Sequence, residues 1–304
     1  MSGYLRDVDG RAVRTQGLTK HFGPVRALEN LDLEVRQGEV FGYLGPNGAG
    51  KTTTIRLLLD FIRPTRGTAE VLGGSGADPA VRRRIGYLPG DLRLDPRYTT
   101  GDVVAFYGRL RGGVDPAVVA GLLERFDLDP TRPVGQLSTG NRRKVGIVQA
   151  FMHRPELLVL DEPSSGLDPL LQYEFQALVR ETAAEGATVF LSSHVLPEVE
   201  ALADRVGILR RGRLVAVAGV AELRAQARQR LDLHVADGAG AAAAFAGIPE
   251  VVDVSVADSV VSLVVEGSVD AVVKAAAGLE VHRIVSHEAD LEDVFLGYYQ
   301  GEDR

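Results

Sequence analysis

The chain has no cysteine and no tryptophan, and only two methionines in 304 residues. Without thiols there is no disulfide, no cysteine nucleophile and no cysteine-based zinc site, a lack that suits an intracellular protein. Long apolar runs are missing as well. The longest, such as residues 214–220, are strand-sized and fall short of the ~18 residues that a membrane-spanning helix needs. The opening MSGYLRDVDGR is charged and has no apolar core, so a secretory leader is not expected. Nor is there a basic excess: 34 basic against 41 acidic side chains give −7, and aromatics make up only 6%. That balance, with no interleaving of aromatic and basic residues, leaves nucleic-acid binding unsupported. The hydrolase signatures H-E-x-x-H and G-x-S-x-G are absent too. His282 and His287 stand around a strand without further ligands, and a surface role fits them better than a metal site.

What is present is ordinary for a soluble globular chain, with 45% hydrophobic and 25% charged residues. At about 150 residues per domain, the length suggests two domains. The first is expected over 1–224, where short β-rich runs alternate with helical patterns. Residues 13–18, 31–35 and 40–44 read as strands, and 51–60 as a helix with Ile55, Leu58 and Leu59 on one face. Further strands are expected at 85–88, 157–160, 188–191, 206–209 and 214–217, with helices near 101–111, 116–126, 142–151 and 170–184. Such alternation makes an α/β fold around a mostly parallel sheet, whose ligands lie beyond the carboxyl ends of the strands.

A polar helical stretch, 222–230, leads into a second domain expected over 225–304 and rich in Ala and Val. It reads strand, helix, strand, strand, helix, strand at 231–235, 241–246, 251–256, 260–265, 269–277 and 281–285, which is the ferredoxin-like order. A last helix is expected at 291–299. No cluster of ligand-type residues marks this domain. A regulatory or docking module and a packing appendage are both open.

GPNGAGKT, at 45–52, matches the pattern G-x-x-x-x-G-K-[ST] in the required place between a strand and a helix. Gly45, Pro46, Asn47, Gly48, Ala49 and Gly50 form a turn whose backbone N–H groups can face inward on an anion, and the following helix adds its dipole. Lys51 supplies a charge to the β- and γ-phosphates, Thr52 a hydroxyl to Mg²⁺, and Thr53 continues the same first turn. Downstream, LLVLDE at 157–162 is a buried strand ending in two carboxylates. Asp161 can hold the metal's coordination shell, and Glu162 can orient and deprotonate an attacking water.

With these two motifs and LSTGN at 137–141, the chain resembles the ATP-binding cassette (ABC) ATPases over roughly residues 15–223. The resemblance implies a P-loop NTPase with a RecA-like core and antiparallel β and helical subdomains, binding ATP and Mg²⁺. LSTGN stands where the family has LSGGQ, so Ser138 and Gly140 are expected to reach the γ-phosphate held by an opposite subunit. SSGLD at 164–168 looks like the D-loop, and His194, in LSSHVLPE, like the switch histidine that contacts the γ-phosphate. Phe22, in KHFG, takes the place of the aromatic that stacks on adenine. Arg142, Arg143 and Lys144 are expected to form a solvated basic face. The family's Q-loop glutamine is replaced by Gly90 and Asp91, so either Asp91 serves the metal or that contact is missing.

One P-loop and one LSTGN per chain imply a head-to-tail pair, formed with a second copy or a paralogue, sandwiching two ATPs. The leading expectation is the ATPase subunit of an exporter of the drug-resistance type, cytoplasmic and peripheral on the inner face of the membrane. The membrane spans would belong to a separate multi-span permease. A soluble ABC ATPase acting on ribosomes or DNA, and an ATP-gated module that does not hydrolyse, are the alternatives.

Overall fold

The computed structural model describes residues 10–226, 228–287 and Phe295. The chain divides into two compact units, Met1–Val217 and Ala218–Arg304. In the first unit the order is β1 (Arg11–Phe22), β2 (Val25–Arg36), β3 (Val40–Leu44), α1 (Lys51–Leu58), β4 (Arg66–Val71), α2 (Pro79–Arg83) and β5 (Ile85–Leu88). There follow α3 (Thr100–Leu110), α4 (Pro116–Arg125), α5 (Thr139–Phe151), β6 (Leu157–Asp161), α6 (Pro169–Ala184), β7 (Thr188–Ser193), α7 (Leu196–Leu202), β8 (Arg205–Arg210) and β9 (Arg213–Gly219), the last of which runs across the boundary at Val217.

Two sheets build this unit. A three-stranded antiparallel sheet has the order β2-β1-β4, and a six-stranded sheet has the order β5-β6-β7-β3-β8-β9. Strands β5, β6, β7, β3 and β8 run parallel. β3, β6 and β7 are buried at every position, which is why VFGYL, LLVLD and TVFLSS read as continuous rather than alternating apolar runs. By contrast β2 alternates buried and exposed residues over its second half, as a strand with one wet face does. Leu18, Leu28, Leu31, Leu33, Phe41 and Ile55 belong to one core that joins the small sheet to the large one through α1. Gly42 is required where α7 crosses β3, because a Cβ there would lie 2.3 Å from Val199.

The helices α3, α4 and α5 form an excursion between β5 and β6. Each start is marked by local chemistry. Thr99 and Asp102 make a capping box on α3, and Asp115 with Pro116 opens α4. Three elements lie outside the sequence expectation. β4 is mostly exposed, α2 has only five residues and α7 only seven, so none carries a resolvable hydrophobic period.

The second unit contains α8 (Val220–Gln226), β10 (Gln229–Val235), α9 (Gly238–Phe245), β11 (Val251–Ala257), β12 (Val260–Val265), α10 (Asp270–Ala276) and β13 (Val281–His287). The polar stretch expected to stay helical to 230 gives way to a strand at Gln229. Its sheet is antiparallel with order β11-β12-β10-β13, the split βαβ arrangement. Leu231, Leu233, Phe245, Val261, Leu263 and Val272 fill its core. The helix expected at 291–299 lies outside the described residues, except for Phe295, which is buried.

Candidate nucleotide site

The sheet order β6-β7-β3 brings three carboxyl ends side by side. The turns that follow them carry Glu162, His194 and the 45–50 loop, so residues far apart in sequence meet at one edge.

The glycine turn is shaped by close approach. A Cβ on Gly45 would lie 2.5 Å from the Leu209 carbonyl oxygen, and one on Gly50, at φ 113°, would lie 2.6 Å from that of Ala27. Pro46, Asn47 and Gly48 are exposed at the mouth, and Ala49 is buried beneath them. Gly50 caps α1 with no side-chain bond, and the first turn holds no acidic residue. The positive end of α1 therefore faces the turn with no acidic residue of its own first turn to offset it, which suits a phosphate.

Lys51 is buried, and its Nζ donates to the Gly45 carbonyl at 2.5 Å and the Pro46 carbonyl at 3.3 Å. The same ammonium stands 3.0 Å from Glu162 Oε1. That oxygen has no aligned hydrogen-bond donor, so the pair is an ionic contact and not a directed bond. The other oxygen, Glu162 Oε2, meets His194 Nδ1 at 2.7 Å. One carboxylate thus gathers all three residues expected in catalysis. Glu162 itself has φ 48°, a left-handed backbone that a non-glycine residue holds only under constraint and that is frequent at working sites.

Asp161 is 1% exposed, and its two oxygens accept from separate hydroxyls, Thr52 at 2.9 Å and Ser192 at 2.6 Å. A hydroxyl and a carboxylate oxygen so placed are hard donors suited to Mg²⁺. Among the described residues no group of three or more His, Cys, Asp or Glu could hold a metal. The remaining ligands would come from phosphate and water, as Mg²⁺ sites commonly arrange. Thr53 is half-buried on the same turn of α1.

Asp91 is placed otherwise than expected. Its carboxylate is turned to solvent and bound by Arg93 at 2.8 Å. The neighbour of Asp161 is Gly90, whose Cβ, if it had one, would lie 3.3 Å from Asp161 Oδ2. The structure does not bring Asp91 into the Thr52–Asp161 pair.

Ser138 caps α5, its Oγ accepting from Asn141 N at 3.2 Å, and it is exposed. Gly140 lies against the Gly166 carbonyl of the D-loop. Both sit at the α5 tip, and neither is among the partners of Lys51, Glu162 or His194. Phe22, the last residue of β1, is 48% exposed, with Lys20 Nζ 4.9 Å from its ring centre. A large aromatic left this open is not core; Lys20 lies over one face of the ring, and a planar base would need the other.

Three functional neighbours escaped the sequence reading. Arg143, expected on a solvated face, is 5% exposed. Ser192 orients Asp161. Glu198, on α7, accepts from Ser193 at 2.7 Å and from Ser164, tying the loop that carries His194 to the D-loop. The helical phase of α5 held a signal for Arg143, which shares a face with the buried Ile147 and Ala150. A lone Glu or Ser gives no comparable signal. Near the same strand ends, burial, reinforced by the charge of Asp161, pushes the Tyr87 phenol up to about 12.

No helix among the described residues is long and apolar enough to cross a membrane. The ABC transporter family matches residues 28–165. The chain is 37% identical to the daunorubicin resistance ATP-binding protein DrrA3 of Streptomyces coeruleorubidus, over 96% of this chain and 97% of that one. It is 33% identical to the bacitracin transport ATP-binding protein BcrA of Enterococcus faecalis, over 93% and 94%. A solved ATP-binding subunit of an ABC transporter matches with a TM-score of 0.66 at 30% identity, covering 70% of this chain and 92% of the other. The chain belongs to the ATP-binding, ATP-hydrolysing subunits of the ABC transporters.

Proposed function

We propose that the chain energises export through a separate multi-span permease, working as a head-to-tail pair with a second copy or a paralogue at the inner face of the cell membrane. The observation that carries this reading is the meeting of Lys51 and His194 on the Glu162 carboxylate, at the edge where α1 presents its open amino end. Similarity along nearly the whole chain to relatives named for bacitracin transport and daunorubicin resistance supports export. No observation favours the ribosome, DNA or non-hydrolysing alternatives.

The backbone N–H groups of the 45–50 turn and Lys51 hold the triphosphate, while Phe22 offers its face to the adenine. Glu162 takes the proton of the attacking water. His194 donates from Nδ1 to Glu162, which fixes the carboxylate. Mg²⁺, when bound by Thr52 and Asp161, would neutralise charge on the phosphate oxygens. Ser138, exposed, and Gly140, half-buried, reach from the α5 tip to the triphosphate of the opposite subunit, so ATP joins the pair and hydrolysis releases it. Gel filtration of Glu162→Gln with ATP and Mg²⁺ should show twice the monomer mass. A monomer would refute the sandwich. Copurification of a multi-span protein from detergent extract tests the permease.

A further inference from the structure

Arg143 makes an unusual set of bonds. Its guanidinium donates through Nε to the Pro163 carbonyl, through Nη1 to those of Pro89 and Gly90, and through Nη2 to those of Asp161 and Glu162. The distances run from 2.5 to 3.2 Å. Arginine has five N–H donors in a rigid planar fork, and here every one is spent on a main-chain oxygen. No carboxylate oxygen takes part. The buried charge is balanced by carbonyl dipoles and by the nearby Asp161 and Glu162 side chains.

These carbonyls come from two segments that matter for hydrolysis. Asp161, Glu162 and Pro163 are the turn that holds the metal carboxylate and the base. Pro89 and Gly90 are the segment where the family's glutamine is missing. Arg143 itself projects from α5, little more than one turn after the Ser138 cap. A single side chain therefore ties the α5 tip, the Gly90 segment and the left-handed Glu162 backbone together.

We propose that Arg143 is a positioning residue for ATP hydrolysis, holding the Glu162 main chain in register with the α5 tip so that engagement of Ser138 by the opposite subunit's ATP sets the Glu162 carboxylate. A lysine cannot reproduce this, because its point charge offers three donors without a planar fork. A glutamine offers two and no charge. Gly90 suits the arrangement: a side chain there would crowd Asp161 Oδ2, whereas its carbonyl is what Arg143 binds.

The inference rests on Glu162 being the base, so Arg143→Lys, Arg143→Gln and Glu162→Gln are compared in the full chain. Melting temperature, KM, kcat and ATP-driven dimerisation are measured for each. Both Arg143 variants should lower kcat, Gln more than Lys, by about 10²-fold for a displaced base. KM and dimerisation with ATP should persist. A wild-type kcat in either variant overturns the proposal. So does a loss of ATP binding and melting temperature in step with kcat, which would make Arg143 a structural brace only. If Glu162→Gln still hydrolyses ATP, the base assignment has failed instead, and the two failures are told apart.

Discussion

Lys51 Nζ lies 3.0 Å from Glu162 Oε1, with the lysine side chain 6% and the glutamate 20% exposed. On the proposed roles, the cation for the β- and γ-phosphates is thus already paired with the carboxylate that activates water. An incoming triphosphate should then compete with Glu162 for the same ammonium and free the carboxylate as it arrives. Glu162→Gln removes the competing charge. Hydrolysis should fall by about 10²–10⁴-fold, the usual worth of a general base, while ATP binds more tightly. Equilibrium binding of ATP checks the second half, and weaker binding would show that the pair does not oppose the nucleotide.

Ser138 separates binding from assembly. Its hydroxyl caps α5 through Asn141 N, so Ser138→Ala should cost about 1 kcal/mol of stability by loss of the cap. Ser138→Arg places bulk and positive charge on an exposed helix tip that makes no bond to the chain's own Lys51. ATP binding to the monomer should survive, while ATP-driven dimerisation and turnover are lost. Light scattering with ATP, in the Glu162→Gln background, reads this directly. A dimer that still forms would place the α5 tip outside the interface.

The site was legible where its chemistry needs consecutive residues. GPNGAGKT and LLVLDE each compress strand, turn and ligand into one stretch, and β3 and β5 begin and end where the apolar runs do. The same reading failed where tertiary packing decides. Nothing beside Arg142 and Lys144 marks Arg143 as the buried member of three cations, because its partners are carbonyls contributed by distant turns. Asp91 was a reasonable substitute ligand by position, yet two residues later Arg93 offers it a nearer charge. The short α2 and α7 lack the length for a period to show. The second unit's order was readable from its Val-rich strands alone.

Phe22 gives a binding prediction with little structural cost, since half of its surface is open. Phe22→Ala should raise KM for ATP and leave kcat nearly unchanged, because a stacked base contributes equally before and during the reaction. Stacking of this kind is worth about 1–3 kcal/mol, so an increase on the order of tenfold is expected. Every purine has a π-face, and GTP should suffer by a similar factor. A fall in kcat at unchanged KM would show that the ring supports the fold near Lys20 and does not hold the nucleotide.

His153, just past the end of α5, makes the stability of the fold depend on acid. Its Nε2 meets the Ile85 carbonyl at 3.2 Å, Nδ1 is buried without a partner, and burial, aided by the charge of Arg111, pushes its pKa down from 6.5 to about 4. The folded value lies below the unfolded one, so the unfolded chain takes up the proton first as pH falls. The contribution is intact above about pH 6.5, is lost progressively toward pH 4, and changes no further below that. At about 1.4 kcal/mol per unit, the loss amounts to as much as roughly 3 kcal/mol. His153→Phe keeps a ring in the same space and cannot be protonated. Urea unfolding of both proteins between pH 7 and 4 should show the variant losing less stability than the wild type across that window, once the acid response shared by their carboxylates is subtracted. Parallel curves would mean that His153 takes up its proton as readily folded as unfolded.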